Sequence, residues 1–233
     1  MPGSIWIWKA DRVPPIKFMR SADGGRTWED QWPALDGRNK EITGFHNSVL
    51  RLKSGRMGLV YSAVDREGGY GHPGREDTSM LFYRTSEDKG HTWSEPVRVG
   101  VHHACCCTGH GLVLSSGRIV LPSFRWVSPI PDNDAEGWIL SNNDPSPTLS
   151  YSFCYVSDDE GKSWKMSLSE LFVSVNRAAY DLEEPTVVEL EDGRLLMHLR
   201  SELGRVYRSF SNDQGMSWTR PRPCRSPRHT LRI

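Results

Sequence analysis

The sequence predicts an all-β chain, a propeller of four-stranded antiparallel blades, on three observations. An octapeptide recurs four times, a second glycine turn recurs three times, and period-two apolar runs lie between them. The octapeptide S-x-D-x-G-x-(T/S)-W stands at 21–28 (SADGGRTW), 86–93 (SEDKGHTW), 157–164 (SDDEGKSW) and 211–218 (SNDQGMSW). Its serines are 65, 71 and 54 residues apart, the length of a repeated supersecondary unit.

Each octapeptide follows an alternating run, at 16–20, 80–84, 151–156 and 205–210, which reads as a half-buried strand entering a turn. The Ser hydroxyl and Asp carboxylate can accept hydrogen bonds from turn amides, and the Gly tolerates positive φ. The closing Trp buries a large flat surface that anchors the turn to its neighbours. The second repeat, LKSGR at Leu52, LSSGR at Leu114 and LEDGR at Leu190, separates two apolar strand-like runs and closes a tight hairpin. The order within a unit is strand A, GR turn, strand B, connection, strand C, octapeptide, strand D. The first unit begins late, with only IWIWK ahead of its C strand, and RSPRHTLRI follows the last unit.

Composition narrows the function classes. Lys+Arg and Asp+Glu number 29 each and are scattered, which gives no field for nucleic acid or an anionic membrane. No apolar run approaches the roughly 20 residues a spanning helix needs. The opening MPGSIWIWKADR carries no basic leader followed by a long apolar stretch, so the cytoplasm is favoured over export. Five cysteines, three of them adjacent, do not form a disulfide framework in 233 residues. Phosphate-binding, dinucleotide, HExxH and GxSxG motifs are absent, and no cofactor is expected.

The octapeptide is the Asp-box or BNR repeat, and together with GRIVLPSF and EEPTVVELEDGRLLMHLRS it resembles the sialidase family over nearly the whole chain. The resemblance implies a single sialidase-like propeller domain or fragment over 1–233, about four of the six blades such a propeller has. It also implies an exo-glycosidase acting on terminal sialic acid or a related acidic sugar. The alternative is a non-catalytic Asp-box propeller that binds glycan or protein through its loop rim.

Antiparallel order puts both repeated turns on one rim and the B–C and D–A connections on the other. The Asp-box carboxylates serve their own turns, so the working rim is the one built from 44–48, 65–77, 102–110, 125–150 and 177–184. Glu184, before Pro185, and Arg200, closing the run LLMHL, are charged residues at the ends of apolar strands. Such residues are either paired with each other or turned to function. By resemblance, Glu184 polarises the family's tyrosine nucleophile, and Arg200 is one of three arginines that grip the sialic acid carboxylate. A guanidinium suits that grip because it binds a carboxylate bidentately and stays charged. Asp11 matches the acid/base aspartate by its distance ahead of the first Asp-box; the alternative is a solvated N-terminal carboxylate. Arg125 and Trp126 open a rim connection and are candidates for contacting the sugar, the Trp by stacking.

Neither the tyrosine nucleophile nor the third arginine has a match at family spacing. The chain is therefore expected to be a fragment or to lack turnover, and open blade edges are expected to favour a homo-oligomer. The run HHACCCTGH at 102–110 is open to three readings: a zinc site, a buried thiol-lined strand or a pocket lining. Residues two apart on a strand, such as His103, Cys105 and Cys107, lie roughly 6.6 Å apart, which argues against the first.

Overall fold

The computed structural model describes residues 15–64, 79–100, 105–106, 110–127, 149–175 and 178–224, and every regular element among them is a strand. The first sheet pairs β1 (Lys17–Phe18) with β2 (Trp32–Pro33), followed by β3 (Leu35–Asp36). The second runs β4 (Phe45–Arg51), β5 (Met57–Val64), β6 (Ser79–Ser86) and β8 (Val97–Arg98) as antiparallel neighbours. Between the last two, β7 (Thr92–Trp93) pairs in parallel with β3.

In the third sheet β10 (Leu112–Val113), β11 (Ile119–Val127), β12 (Leu149–Ser157) and β13 (Lys165–Met166) follow the same order. There β9 (Cys105–Cys106) adds to β11 opposite Phe124 and Arg125. A hairpin of β14 (Val173–Val175) and β15 (Ala178–Tyr180) leads to the fourth sheet, β16 (Leu182–Glu189), β17 (Leu195–Ser201), β18 (Tyr207–Ser211) and β19 (Arg222–Pro223). Three sheets thus carry the full A–D order and the first carries its C and D strands. They do not close a ring among the described residues.

Alternation along each strand feeds two seams at once. Ile119 and Leu121 of β11 pack with Leu50, Leu81, Tyr83 and Phe153 between the second and third sheets. Val120, between them in sequence, faces the opposite way and joins Leu182, Leu195, Met197 and Trp218 between the third and fourth. A third cluster, around Ile16, Leu59, Tyr61 and Trp93, joins the first sheet to the second.

The octapeptides close the C–D hairpins as the sequence requires. In the first, Asp23 Oδ1 accepts the N–H groups of Arg26 and Thr27 at 2.9 Å, and its Oδ2 accepts the Thr27 hydroxyl at 2.7 Å. The Trp indole N–H donates to the Gly carbonyl three residues back, at 3.2, 3.0, 3.1 and 3.1 Å in the four copies. These bonds, led by those from Thr27, hold the Asp23 carboxyl far below its ordinary value. Burial works against the Thr92 and Ser163 bonds at Asp88 and Asp159, yet both are pulled down to about 2. One feature was not legible in the sequence: the residue before the Gly also takes positive φ, 62° at Lys89, 57° at Glu160 and 58° at Gln214.

GR turns and Asp-boxes share one rim and touch across the seams. Ser54 N–H and Arg56 Nη2 of the second sheet's GR turn donate to Glu160 of the next Asp-box, at 2.9 and 2.6 Å. One seam on, Ser116 bonds Gln214 at 2.9 Å, and Arg118 reaches the Gln214 carbonyl. In the third and fourth Asp-boxes the left-handed fourth position is therefore the contact point for the preceding sheet.

The other rim departs from a loop-only reading. Residues 45–48 belong to β4, 125–127 to β11, 149–150 to β12 and 182–184 to β16, so these ladders run further toward the working rim than expected. The connections 65–77 and 128–148 lie outside the described residues, as do His103 and Cys107 of the His/Cys run.

Candidate functional site

The site is built where β16 and β17 reach the rim opposite the Asp-boxes. The pair leaves the GR turn at 190–194 and runs to a register in which Glu183 faces Arg200 and Leu182 faces Ser201. A bulge between Glu183 and Thr186 interrupts the ladder. Pro185, inside it, has no N–H to give, and Glu184 takes φ 47°, a left-handed conformation uncommon outside glycine. The bulge thereby sets two adjacent carboxylates to different tasks.

Arg200 Nη1 donates to Glu183 Oε2 at 2.8 Å and lies 3.5 Å from Glu184 Oε1. The Glu183 side chain is 16% exposed, against 48% for Glu184 and 58% for Arg200. Glu183 is thus sheltered, while Glu184 and the outer edge of the guanidinium meet solvent. The Nε and Nη2 groups of Arg200 bond no partner among the described residues.

The third sheet supports this arrangement. Ser150, at the start of β12, donates its hydroxyl to Glu183 Oε1 at 2.6 Å and its N–H to Asp181 Oδ1 at 2.8 Å. Burial raises the Asp181 carboxyl above its ordinary value, with the Ser150 N–H pulling the other way. Ser152 donates to the Leu182 carbonyl at 2.7 Å, so alternate residues of β12 dock the first strand of the fourth sheet.

A matching bulge lies in β4 between Phe45 and Ser48, and His46 in it takes φ 48°. Among the described residues, His46 and Glu184 are the two strand residues other than glycine with positive φ; the remaining four sit in turns. Desolvation by the surrounding protein lowers the His46 imidazole from its ordinary value, although the residue is exposed at the surface, while the Glu184 carboxylate opposes that shift. Backbone strain of this kind recurs at the same end of the first strands of the second and fourth sheets.

Of the residues singled out in the sequence, Glu184 and Arg200 come together here. Arg125 sits one seam away, opposite Tyr151 in register, with its guanidinium carbon 6.0 Å from that ring's centroid. Trp126 pairs by its backbone with Ser150. Asp11 lies outside the described residues. Sequence reasoning passed over Glu183, Asp181, Ser150 and His46. The doubled carboxylate of LEEP was a visible signal for Glu183, whereas Ser150 is found only through the seam.

Comparison with known proteins shows the family and the fold. A family model for the BNR repeat-like domain matches residues 8–230. A sialidase of Bacteroides fragilis is 26% identical over 226 residues, an alignment covering 88% of this chain and 37% of the relative. A sialidase of Micromonospora viridifaciens is 26% identical over 216 residues, covering 85% of this chain and 30% of the relative. The chain therefore spans about a third of the length of these relatives. Among solved structures, a Dyadobacter fermentans protein of unknown function aligns with TM-score 0.63 at 18% identity, over 91% of this chain and 59% of its own. The intramolecular trans-sialidase of Ruminococcus gnavus aligns with TM-score 0.60 at 17% identity, over 91% and 64%. At these identities the structural likeness speaks for the fold.

Proposed function

We propose, for a chain that belongs to the BNR repeat-like domain family, that the mouth formed by Glu184 and Arg200 is part of a sialidase-type site for terminal sialic acid or a related acidic sugar. One observation carries the reading. An exposed arginine, whose Nε and Nη2 bond no partner among the described residues, stands 3.5 Å from an exposed carboxylate on the rim opposite the structural turns. The guanidinium grips the sugar carboxylate, and Glu184 is the carboxylate that would act as base toward a tyrosine nucleophile, a residue for which this chain has no match at family spacing. The names of the relatives support the substrate class.

A second reading is binding without turnover, by a non-catalytic propeller. The exposed guanidinium of Arg200 favours it as well, because the grip needs no nucleophile. Among the described residues, Glu184 bonds no tyrosine hydroxyl.

Hydrolysis of a fluorogenic sialoside separates the two. Turnover by the chain, lost in Arg200→Ala and in Glu184→Gln, supports the hydrolase. Sialic acid binding without turnover supports the binding protein, and neither binding nor turnover rejects the site.

A further inference from the structure

We propose that Glu183 is a positioning residue for Arg200, held in place by Ser150 of the neighbouring sheet, so that the guanidinium's approach to a ligand depends on the seam between the third and fourth sheets. The inference rests on the reading of Arg200 as a carboxylate grip.

Three features carry it. Both oxygens of the Glu183 carboxylate are engaged from opposite sides, Oε1 by the Ser150 hydroxyl at 2.6 Å and Oε2 by Arg200 Nη1 at 2.8 Å. The carboxylate bridges two sheets and is the sheltered partner, 16% exposed beside an arginine that is 58% exposed. Ser150 is itself fixed, buried with its N–H on Asp181. A chain of short bonds thus runs from β12 through Glu183 to the guanidinium.

An arginine side chain with free rotamers gives up entropy each time it orders around a ligand. Bonding one Nη to a fixed carboxylate meets that cost in advance and turns the remaining edge outward. The arrangement also divides labour between adjacent residues: Glu183 holds the arginine, and Glu184, re-aimed by the bulge, stays exposed for chemistry. A structural ion pair alone would need neither the anchor from the third sheet nor an exposed partner.

The test uses the full chain and free sialic acid, with affinity read by ligand-observed NMR and melting read in parallel. Arg200→Ala is expected to abolish binding. Ser150→Ala removes the anchor without changing any charge and is expected to weaken binding about 5- to 10-fold, the scale of one ordinary hydrogen bond lost. Ser150→Thr, which keeps the hydroxyl, restores most of the loss. Glu183→Ala weakens binding at least as much as Ser150→Ala, and Glu183→Gln, which keeps an acceptor for Arg200, weakens it less than Glu183→Ala.

Affinity unchanged or improved in folded Ser150→Ala and Glu183→Ala would overturn the proposal, because Glu183 would then merely compete with the ligand for Arg200. If Arg200→Ala itself leaves binding intact, the carboxylate-grip reading fails first, and the result is distinguishable from failure of the strut alone. Should Glu183→Ala not fold, the contrast of Ser150→Ala with Ser150→Thr decides the matter, since neither changes charge.

Discussion

At the scale of single residues, glycines with the same backbone conformation carry different burdens. Gly161 (φ 89°) lies in the third Asp-box, and a Cβ there would run into the ring of Tyr83 across the seam. Gly193 (φ 80°), in a GR turn, has open space around the same position. Gly161→Ala combines left-handed strain with overpacking and is expected to cost about 2–4 kcal/mol, against about 1–2 kcal/mol for Gly193→Ala. Urea denaturation of both variants checks the ordering, and equal costs would mean that the seam yields. The sequence marks both positions as turn glycines, but only the fold reveals which of them faces a neighbouring sheet. The same limit explains the site. Glu184 was legible because it precedes a proline at a strand end, whereas the partner that holds Arg200 closest is Glu183. That preference follows from the bulge register and from Ser150, 33 residues away in sequence.

At the scale of elements, hairpins were legible and their ends were not. Turn chemistry is local, so the Asp-box and GR repeats marked the C–D and A–B hairpins directly. How far a strand runs toward the rim depends on its partners across the sheet. Residues 45–48 therefore read as a connection, although Ser48 pairs with Val60 inside β4–β5. The two seams on either side of the third sheet carry a contact that local sequence does not announce, between the GR turns at 52–56 and 114–118 and the fourth residue of the following sheet's Asp-box. For Arg56 and Glu160, with side chains 29% and 23% exposed, a double-mutant cycle is expected to give a coupling of about 0.5–1 kcal/mol. Zero coupling would show the contact to be incidental to the seam.

At the scale of the whole molecule, the Asp-box aspartates tie stability to pH in one direction. Asp23, Asp88, Asp159 and Asp213 all lie below the ordinary carboxylate value in the folded state. Their contribution is full above about pH 4, the range of an unfolded aspartate, and is lost as pH falls toward about 2. The melting temperature is therefore expected to drop steeply between about pH 4 and 2. Asp159→Asn should lower it near neutrality, where three hydrogen bonds weaken, and flatten the acid limb. A melting temperature flat across that window would contradict the role given to these turns.

The central claim is that Arg200, on the rim away from the Asp-boxes, recognises the carboxylate of an acidic sugar. Its most direct test is saturation-transfer NMR of the chain with sialic acid and with its methyl ester, which differ at that one group. The account predicts signal from the acid, little from the ester, and loss of the difference in Arg200→Ala. Equal binding of acid and ester, or discrimination that survives in Arg200→Ala, would contradict it.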